Sequence, residues 1–465
     1  MNTKAVVISL VVLALIGAGV VFAWVVLLQR AAVVNQPLPA PATPTSTDKI
    51  KLTYAVHWEE KYQLDGVYEN GQLKSKGLRQ YLDEYMQLHP NVEIDVLQIP
   101  YSDYASKLQL FHDTDSAPDI YQIYSTWGVE FQHRGVLANP PTDVKDEVKK
   151  NYVSTAGVTI ANDIWGIPTE VDDYALVYNK DLFKKAGLVD EEGNAKPPTT
   201  WAELVADAVK LTKKDEKGNI AQYGFAFTPN NDTFVVGPFL SLLSTNNGKY
   251  LSDDYSKCLL SSPEGVETAA ATQQLFTKGV TDMNGNVWDF GQGKVAMIVM
   301  APWTEGTLRQ SLTSTFDNVV GVAPIPYLKK PASLQYSWFM GVMAKSKHQQ
   351  EAWDFLRWFA FEPQPDRGTT RYGDLLAQTI GAIPSRRNDI AGNASWLETP
   401  FKKVFVDELP NSAPEPNVLQ SARLSSIVMA EVQSTWTQTA TPAQAMTSAC
   451  AQIDDILKSY YPVSP

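Results

Sequence analysis

The pattern of apolar and polar residues after residue 49 predicts a strand, a helix and a second strand. Residues 50–56 (IKLTYAV) form a short apolar run, and residues 92–99 (VEIDVLQI) alternate as a half-buried strand does. Residues 77–88, which lie between them, carry apolar side chains at helical spacing. This order indicates the beginning of an α/β fold with parallel strands.

Capping residues predict four later helices. Thr200 and Glu203 form a capping box after two prolines, which predicts a helix that runs to about residue 212. Ser262 followed by Pro263 places a cap and then a first-turn proline. These and similar signals predict the other three helices at residues 262–279, 349–361 and 441–459.

An apolar segment lies at the N-terminus, where Lys4 precedes an almost unbroken apolar run from Ala5 to Leu28. Such a run can span a hydrocarbon core about 30 Å thick, whereas secretory signal peptides have shorter apolar cores of about 7–15 residues. Residues 1–30 are therefore predicted to be either an uncleaved signal anchor or a cleaved signal peptide. Residues 31–48, rich in Pro and Thr, are predicted to be an extended linker. In both cases the remainder of the chain is exported.

The composition is that of a globular protein. The chain has 465 residues, 44% of them hydrophobic, which is enough for two lobes with separate cores. Its net charge of -12 argues against binding of nucleic acid, which requires a basic surface. Cys258 and Cys450 both lie in the exported part, so either a disulfide or two buried free thiols is expected.

Signals for catalysis and for metal binding are weak. The five histidines stand at no spacing typical of a zinc or di-metal site, so no metal and no cofactor are expected. There is no nucleophile elbow and no phosphate-binding glycine loop, and residues 291–294 (GQGK) are interpreted as a turn before a strand. A glycosidase needs two carboxyl groups about 5–10 Å apart, which adjacent acidic residues do not establish. We therefore predict that the chain is not an enzyme.

Several stretches of the chain resemble one family. Residues 166–211 contain GIPTEVDDYALVYNKDLFKKAGL and then PPTTWAELVADAVKL, and residues 290–303 are FGQGKVAMIVMAPW. Residues 343–359 (MAKSKHQQEAWDFLRWF) and 381–386 (GAIPSR) follow. In this order they resemble the extracellular solute-binding proteins of sugar ABC importers, the family that includes maltose-binding protein. Ala301 stands where that family has Gly, and the resemblance covers about residues 49–460.

The resemblance implies an α/β fold with two lobes joined by a hinge of crossing strands. The first lobe is expected to comprise residues 49–171 and 334–392, and the second lobe residues 172–333 and 393–465. Cys258 and Cys450 then both lie in the second lobe, which favours the disulfide. The two lobes are expected to close around a captured solute.

The resemblance also implies where the solute binds. A sugar presents a ring face, which suits aromatic rings, and a rim of hydroxyl groups, which suits carboxylates. Trp303 matches a stacking tryptophan of the family, and Asp172 matches a carboxylate at the hinge. The loop after the first strand matches the family's first binding loop, but residues 62–75 lengthen it. The predicted ligand-binding residues are Trp58, Glu59, Glu60, Tyr124, Trp127, Glu170, Asp172, Asp173, Trp303, Tyr336 and Trp338.

These expectations together predict a monomeric, extracytoplasmic capture protein, anchored in the cytoplasmic membrane by its N-terminal helix. It would hand a sugar or oligosaccharide to the membrane subunits of an ABC importer. Two other functions stay open, because a fold does not determine a function: a carbohydrate-active hydrolase, and a sensor subunit that reports its ligand. A polyol, a glycerol phosphate or a polyamine is an alternative ligand.

Overall fold

The structure, a computed structural model, describes residues 49–461. Two β-sheets form the framework of this part of the chain. The predicted N-terminal helix and the linker, residues 1–48, lie outside the described residues. Within residues 49–461, no helix has the length and apolarity that are needed to cross a membrane.

The strands of these sheets alternate with helices along the chain. They are β1 (Ile50–Val56), β2 (Val92–Gln98), β3 (Ile120–Tyr124), β4 (Ile167–Asp173), β5 (Ala175–Asn179), β6 (Met297–Met300), β7 (Val320–Ala323), β8 (Ser333–Val342) and β9 (Ser412–Pro414). The first sheet has the order β9-β8-β3-β1-β2, with β4 also paired to β8, and the second has the order β6-β5-β7. Strands β1 and β2 are parallel, as the sequence predicts.

The longer helices cover the sheets. They are α1 (Leu78–Leu88), α2 (Tyr101–Asp113), α3 (Thr142–Asn151), α4 (Trp201–Leu211), α5 (Val236–Thr245), α6 (Pro263–Thr277), α7 (Thr304–Leu312), α8 (Gln349–Ala360), α9 (Ser421–Trp436) and α10 (Pro442–Leu457). The predicted caps are confirmed, since Thr200 and Ser262 each accept a backbone N–H from the first turn of α4 or α6 at 3.3 Å.

Shorter elements connect these. Single-turn helices lie at Lys61–Asp65, Gly128–His133, Lys180–Lys185, Phe316–Val319, Arg371–Asp374, Arg387–Gly392, Ala394–Leu397 and Lys403–Glu408. A hairpin of Val67–Glu69 and Gln72–Ser75 occupies the segment predicted as an insertion. Residues 287–292 form a 3-10 helix before β6, and Gly293 ends it with φ of 71°, so the GQGK stretch is a turn, as predicted.

Strand β8 contributes to two separate hydrophobic cores. Leu334 and Trp338 pack with the helices of the second sheet, in a core that includes Trp201 and Trp436. Phe339 and the residues after it pack with the first sheet and α8. A third group of apolar residues, among them Phe405, covers the other face of the second sheet. The strand therefore passes from one core to the other between Trp338 and Phe339.

Cys258 and Cys450 form a disulfide, with their Cα atoms 5.0 Å apart. Cys450 lies on α10, and the backbone N–H of Cys258 also donates to the carboxylate of Asp454, one helical turn later, at 2.6 Å. The disulfide thus joins the last helix to a segment 192 residues earlier in the chain.

Replacing both cysteines by serine is expected to lower the free energy of unfolding by about 2–5 kcal/mol, because the unfolded chain regains the freedom that a long closed loop removes. Thermal melting checks this, with the reduced wild type as the control. A reduced wild type that melts like the oxidised protein would contradict the expectation.

Candidate functional site

A cavity of about 890 Å³ opens at the carboxyl ends of strands β1, β3 and β6. Side chains from the cores of both sheets line it, together with the first turns of α2, α5 and α9. Ligands of open α/β sheets bind at such strand ends, and small-molecule sites typically measure about 300–1,000 Å³. The position and the volume therefore indicate a ligand site.

Most of the predicted binding residues line this cavity. The structure brings together nine of the eleven, namely Trp58, Glu59, Glu60, Tyr124, Trp127, Glu170, Trp303, Tyr336 and Trp338. Six of the nine lie at the end of a strand or in the loop after it, whereas Glu170, Tyr336 and Trp338 lie within β4 and β8. The pattern of an apolar strand that ends in aromatic or acidic residues was therefore an informative signal.

Asp172 and Asp173 do not line the cavity, which corrects their placement among the direct contacts. Asp172 is 1% exposed and accepts hydrogen bonds from the Ile383 N–H at 2.9 Å and from the Tyr336 hydroxyl at 3.4 Å. Asp173 is fully buried, and neither of its carboxyl oxygens has a hydrogen-bond partner among residues 49–461. In the pairing of β4 with β8, Asp172 lies opposite Tyr336, whose hydroxyl donates to it, and Asp173 lies opposite Gln335.

One wall of the cavity is a group of stacked rings around Trp338. Its indole lies parallel to the His57 imidazole, with centroids 3.7 Å apart and planes 11° apart. Tyr124 and Trp127 contact the same indole with centroids at 5.5 and 5.6 Å. Trp338 is only 7% exposed, whereas Trp127 is half-buried, so Trp338 supports the wall and Trp127 offers the more accessible ring.

Three more aromatic rings belong to the second sheet's side of the cavity. Trp303 follows β6 and begins α7, and its ring centroid lies 6.1 Å from that of Trp288. Phe234 meets Trp288 edge-on at 5.7 Å. Trp303 and Trp288 are half-buried, so both sides of the cavity present tryptophan rings that can stack on a ligand.

Glu59 shapes the cavity by capping a helix. Its carboxylate accepts the backbone N–H of Tyr101, the first residue of α2, at 2.9 Å. The partial positive charge of a helix N-terminus favours a carboxylate there. Glu59 therefore joins the start of α2 to the loop after β1, and both Glu59 and Glu60 are exposed.

Burial alters the protonation of the polar groups on the wall. It raises the pKa of Glu170 to about 8, helped by the charge of Asp172, and it raises the pKa of Asp172 itself to about 7. Burial also raises the pKa of Glu415 to about 7, although the Tyr124 hydroxyl, which donates to this carboxyl group at 2.5 Å, has the opposite effect. Burial lowers the pKa of His57 to about 3, so this ring is neutral. At neutral pH the wall therefore holds carboxyl groups that can donate as well as accept hydrogen bonds.

The sequence analysis missed several lining residues. Glu415 follows β9 in a proline-rich segment without periodicity, and Asp232 lies in a loop before α5. Neither segment carries a strand signal. Tertiary packing alone brings each of them to the cavity, so no local pattern could have identified them. Tyr174 follows β4, and Gly237 on α5 leaves space for its hydroxyl group. The other missed residues with polar or aromatic side chains include Tyr62, Tyr101, Asn231, Thr233, Tyr250, Trp288, Ser421 and Ser425.

The charged groups on the wall all have acidic side chains. Among residues 49–461, the lining comprises five carboxyl groups and neither a lysine nor an arginine; the five are Glu59, Glu60, Glu170, Asp232 and Glu415. Within residues 49–461, no group of three or more His, Cys, Asp or Glu is arranged to hold a metal ion. The arrangement suits hydrogen bonding and ring stacking with an uncharged or cationic ligand.

The fold is that of two-lobed solute-binding proteins. The GacH receptor of Streptomyces glaucescens GLA.O, solved unliganded and with acarbose, superimposes with a TM-score of 0.73 at 20% identity, covering 89% of this chain and 99% of the receptor. Binding protein BAB2_0491 of Brucella abortus (strain 2308) is 24% identical over 80% of this chain and 87% of its own length. The galactooligosaccharide-binding protein of Bacillus subtilis (strain 168) is 23% identical over 81% of this chain and 85% of its own length.

The sequence profile of the bacterial extracellular solute-binding proteins matches residues 70–364, more than half of the chain. The chain belongs to this family. Its cavity, which both cores line, is the candidate for the solute site.

The raised carboxyl pKa values predict that stability falls as the pH rises. Glu170 titrates near its ordinary pKa of 4.5 in the unfolded chain but near 8 in the folded protein. Between these values the folded state binds more protons, so a higher pH lowers the free energy of unfolding, by about 1.4 kcal/mol per unit of pKa shift. We expect the melting temperature to decrease from pH 5 to pH 9, and Glu170→Gln, which stays neutral, to flatten the decrease.

The control for this measurement is Asp253→Asn, since Asp253 has an exposed side chain. It should keep the wild-type slope. Equal slopes in Glu170→Gln and the wild type would contradict the role of Glu170.

Proposed function

We propose that the chain is the extracytoplasmic capture subunit of an ABC importer and that its solute is a sugar or oligosaccharide. The observation that carries the proposal is the cavity, in which half-buried tryptophans from the two cores accompany carboxyl groups. Rings suit the C–H face of a sugar and carboxyls suit its hydroxyl rim. GacH was solved in complex with acarbose, and the Bacillus subtilis relative is named a galactooligosaccharide-binding protein. Both support a sugar or oligosaccharide as the ligand.

The size of the cavity supports a ligand of more than one sugar ring. Its volume of about 890 Å³ lies near the upper end of the range for small-molecule sites. Trp127 lies before residue 171 and Trp303 after it, so with the lobe boundaries that we propose an oligosaccharide would have a ring to stack on in each lobe.

Closure of the two lobes would retain the ligand. The lobe boundaries are proposed at 49–171 with 334–392, and at 172–333 with 393–465. With these boundaries, the Tyr101 and Thr233 hydroxyls, 3.4 Å apart, and the bond from the Ser421 hydroxyl to the Thr126 carbonyl, 2.6 Å long, join the lobes. A ligand favours this arrangement only by its greater affinity for it than for an open one.

The apolar run from Ala5 to Leu28 supports anchoring of the protein in the cytoplasmic membrane. The membrane subunits of an importer would then receive the sugar from the closed form. Capture by a monomer requires no bond to be broken, so the protein is proposed to act without catalysis.

The proposal predicts a ligand response of the purified full chain. One class of sugar should change the tryptophan fluorescence in a saturable manner and raise the melting temperature, because it binds only the folded state. Chromatography of the same samples should recover the sugar intact. Consumption of the sugar would instead favour a hydrolase. If no saccharide changed the fluorescence or the melting temperature, the proposed ligand class would be overturned.

Trp303→Ala should weaken binding of the responding sugar by about tenfold or more, because the stacking face is lost. Titration calorimetry measures this. The matched control is Trp396→Ala, since Trp396 is also half-buried but lies outside the cavity. An equal loss in both variants would show that Trp303 acts only through folding.

A further inference from the structure

The acidic wall of the cavity lacks counter-ions. None of its five carboxyl groups forms an ion pair with a lysine or arginine among residues 49–461. Two other buried carboxylates, by contrast, are paired: Glu305 lies 3.3 Å from the Lys402 ammonium, and Asp374 lies 2.7 Å from Arg367. No lysine or arginine among residues 49–461 balances the charge of an ionised carboxyl group on this wall, and a buried charge without a partner costs free energy.

Two of these carboxyl groups are neighbours at one end of the cavity. Asp232 and Glu415 both line the cavity, and the charge of Asp232 adds to burial in raising the pKa of Glu415. Both charges also raise the pKa of Tyr101, again after burial. Tyr124 donates its hydroxyl to Glu415. The carboxylate of Asp232 accepts a hydrogen bond from the backbone N–H of Thr233 at 2.8 Å. The hydroxyl of Ser425 lies 3.5 Å from its other oxygen.

Aromatic rings and an unused hydroxyl group surround this end. The rings of Tyr101, Tyr124 and Tyr174 line the cavity beside the two carboxyl groups. The hydroxyl oxygen of Tyr250, which also lines the cavity, is buried and has no hydrogen-bond partner among residues 49–461. Unsatisfied buried polar groups at a cavity wall indicate a missing polar ligand.

Two carboxyl groups among aromatic rings form an environment that suits a cation. An ammonium group donates charge-assisted hydrogen bonds to carboxylates and is attracted to the faces of tyrosine rings. A neutral hydroxyl would satisfy the hydrogen bonds but would leave the charge unbalanced, and a phosphate or carboxylate would be repelled.

We infer that the end of the cavity bounded by Asp232 and Glu415 binds a protonated amino group, so that the captured solute is an amino-bearing saccharide. This inference rests on the proposed function, of which it specifies the ligand class.

Matched sugar pairs that differ only in one substituent test it on the full chain. Titration calorimetry at pH 7.5 would compare glucosamine with glucose, galactosamine with galactose, and glucosamine oligomers with cello-oligosaccharides, with spermidine as a non-sugar amine. At least one amino member should bind about tenfold or more tightly than its hydroxyl partner, as expected for a charge-assisted bond. In Asp232→Asn and Glu415→Gln this ratio should fall toward one, and in the exposed control Asp253→Asn it should not change.

Each result decides between the two proposals. Tighter binding of the hydroxyl members would overturn the amino group and leave sugar capture standing. Binding of spermidine without any sugar would overturn both. Binding of no member of any pair would overturn the amino-saccharide. The wild-type comparison holds even if a variant folds poorly, which its melting temperature without ligand would reveal.

Discussion

Strand β8 hydrogen-bonds to three other strands, β3, β4 and β9, while its two halves belong to different cores. A shift in its register with β4 lies between Ser337 and Phe339, where the strand passes from one core to the other. Both cores therefore depend on one continuous set of backbone hydrogen bonds. Tyr336 and Trp338 project at this crossing, so the strand that joins the cores also builds the cavity wall. In the closure that we propose, this strand is where the lobes would bend.

The crossing also buries three carboxyl groups, at a cost in free energy. Glu170, Asp172 and Asp173 lie together on β4, and burial raises the pKa of each. Of the three, only Glu170 lines the cavity, where a bound ligand can use its hydrogen-bonding capacity. The hydrogen bonds of Asp172 to Ile383 and Tyr336 show how part of this cost is offset, because they hold a ring of the cavity wall in place.

Local signals predicted much of the fold and part of the site. The caps at Thr200 and Ser262 and the alternation in β2 depend on neighbours only a few residues away, so they were visible in the chain. Trp303 could be placed because it directly follows an apolar strand. Asp172 and Asp173 also follow a strand pattern, but the sequence did not reveal on which side of the wall their carboxyl groups lie. Pairing between β4 and β8 decides this.

The sequence by itself determined the class of fold, the order of its elements and the combination of aromatic and acidic residues at strand ends, because these follow from periodicity and from local hydrogen bonds. Only the tertiary structure brought Asp232 and Glu415 together, 183 residues apart in the chain, and removed every lysine and arginine from their wall. The charge balance of a cavity depends on side chains from many distant segments. No local pattern encodes that sum, which emerges only when the segments pack.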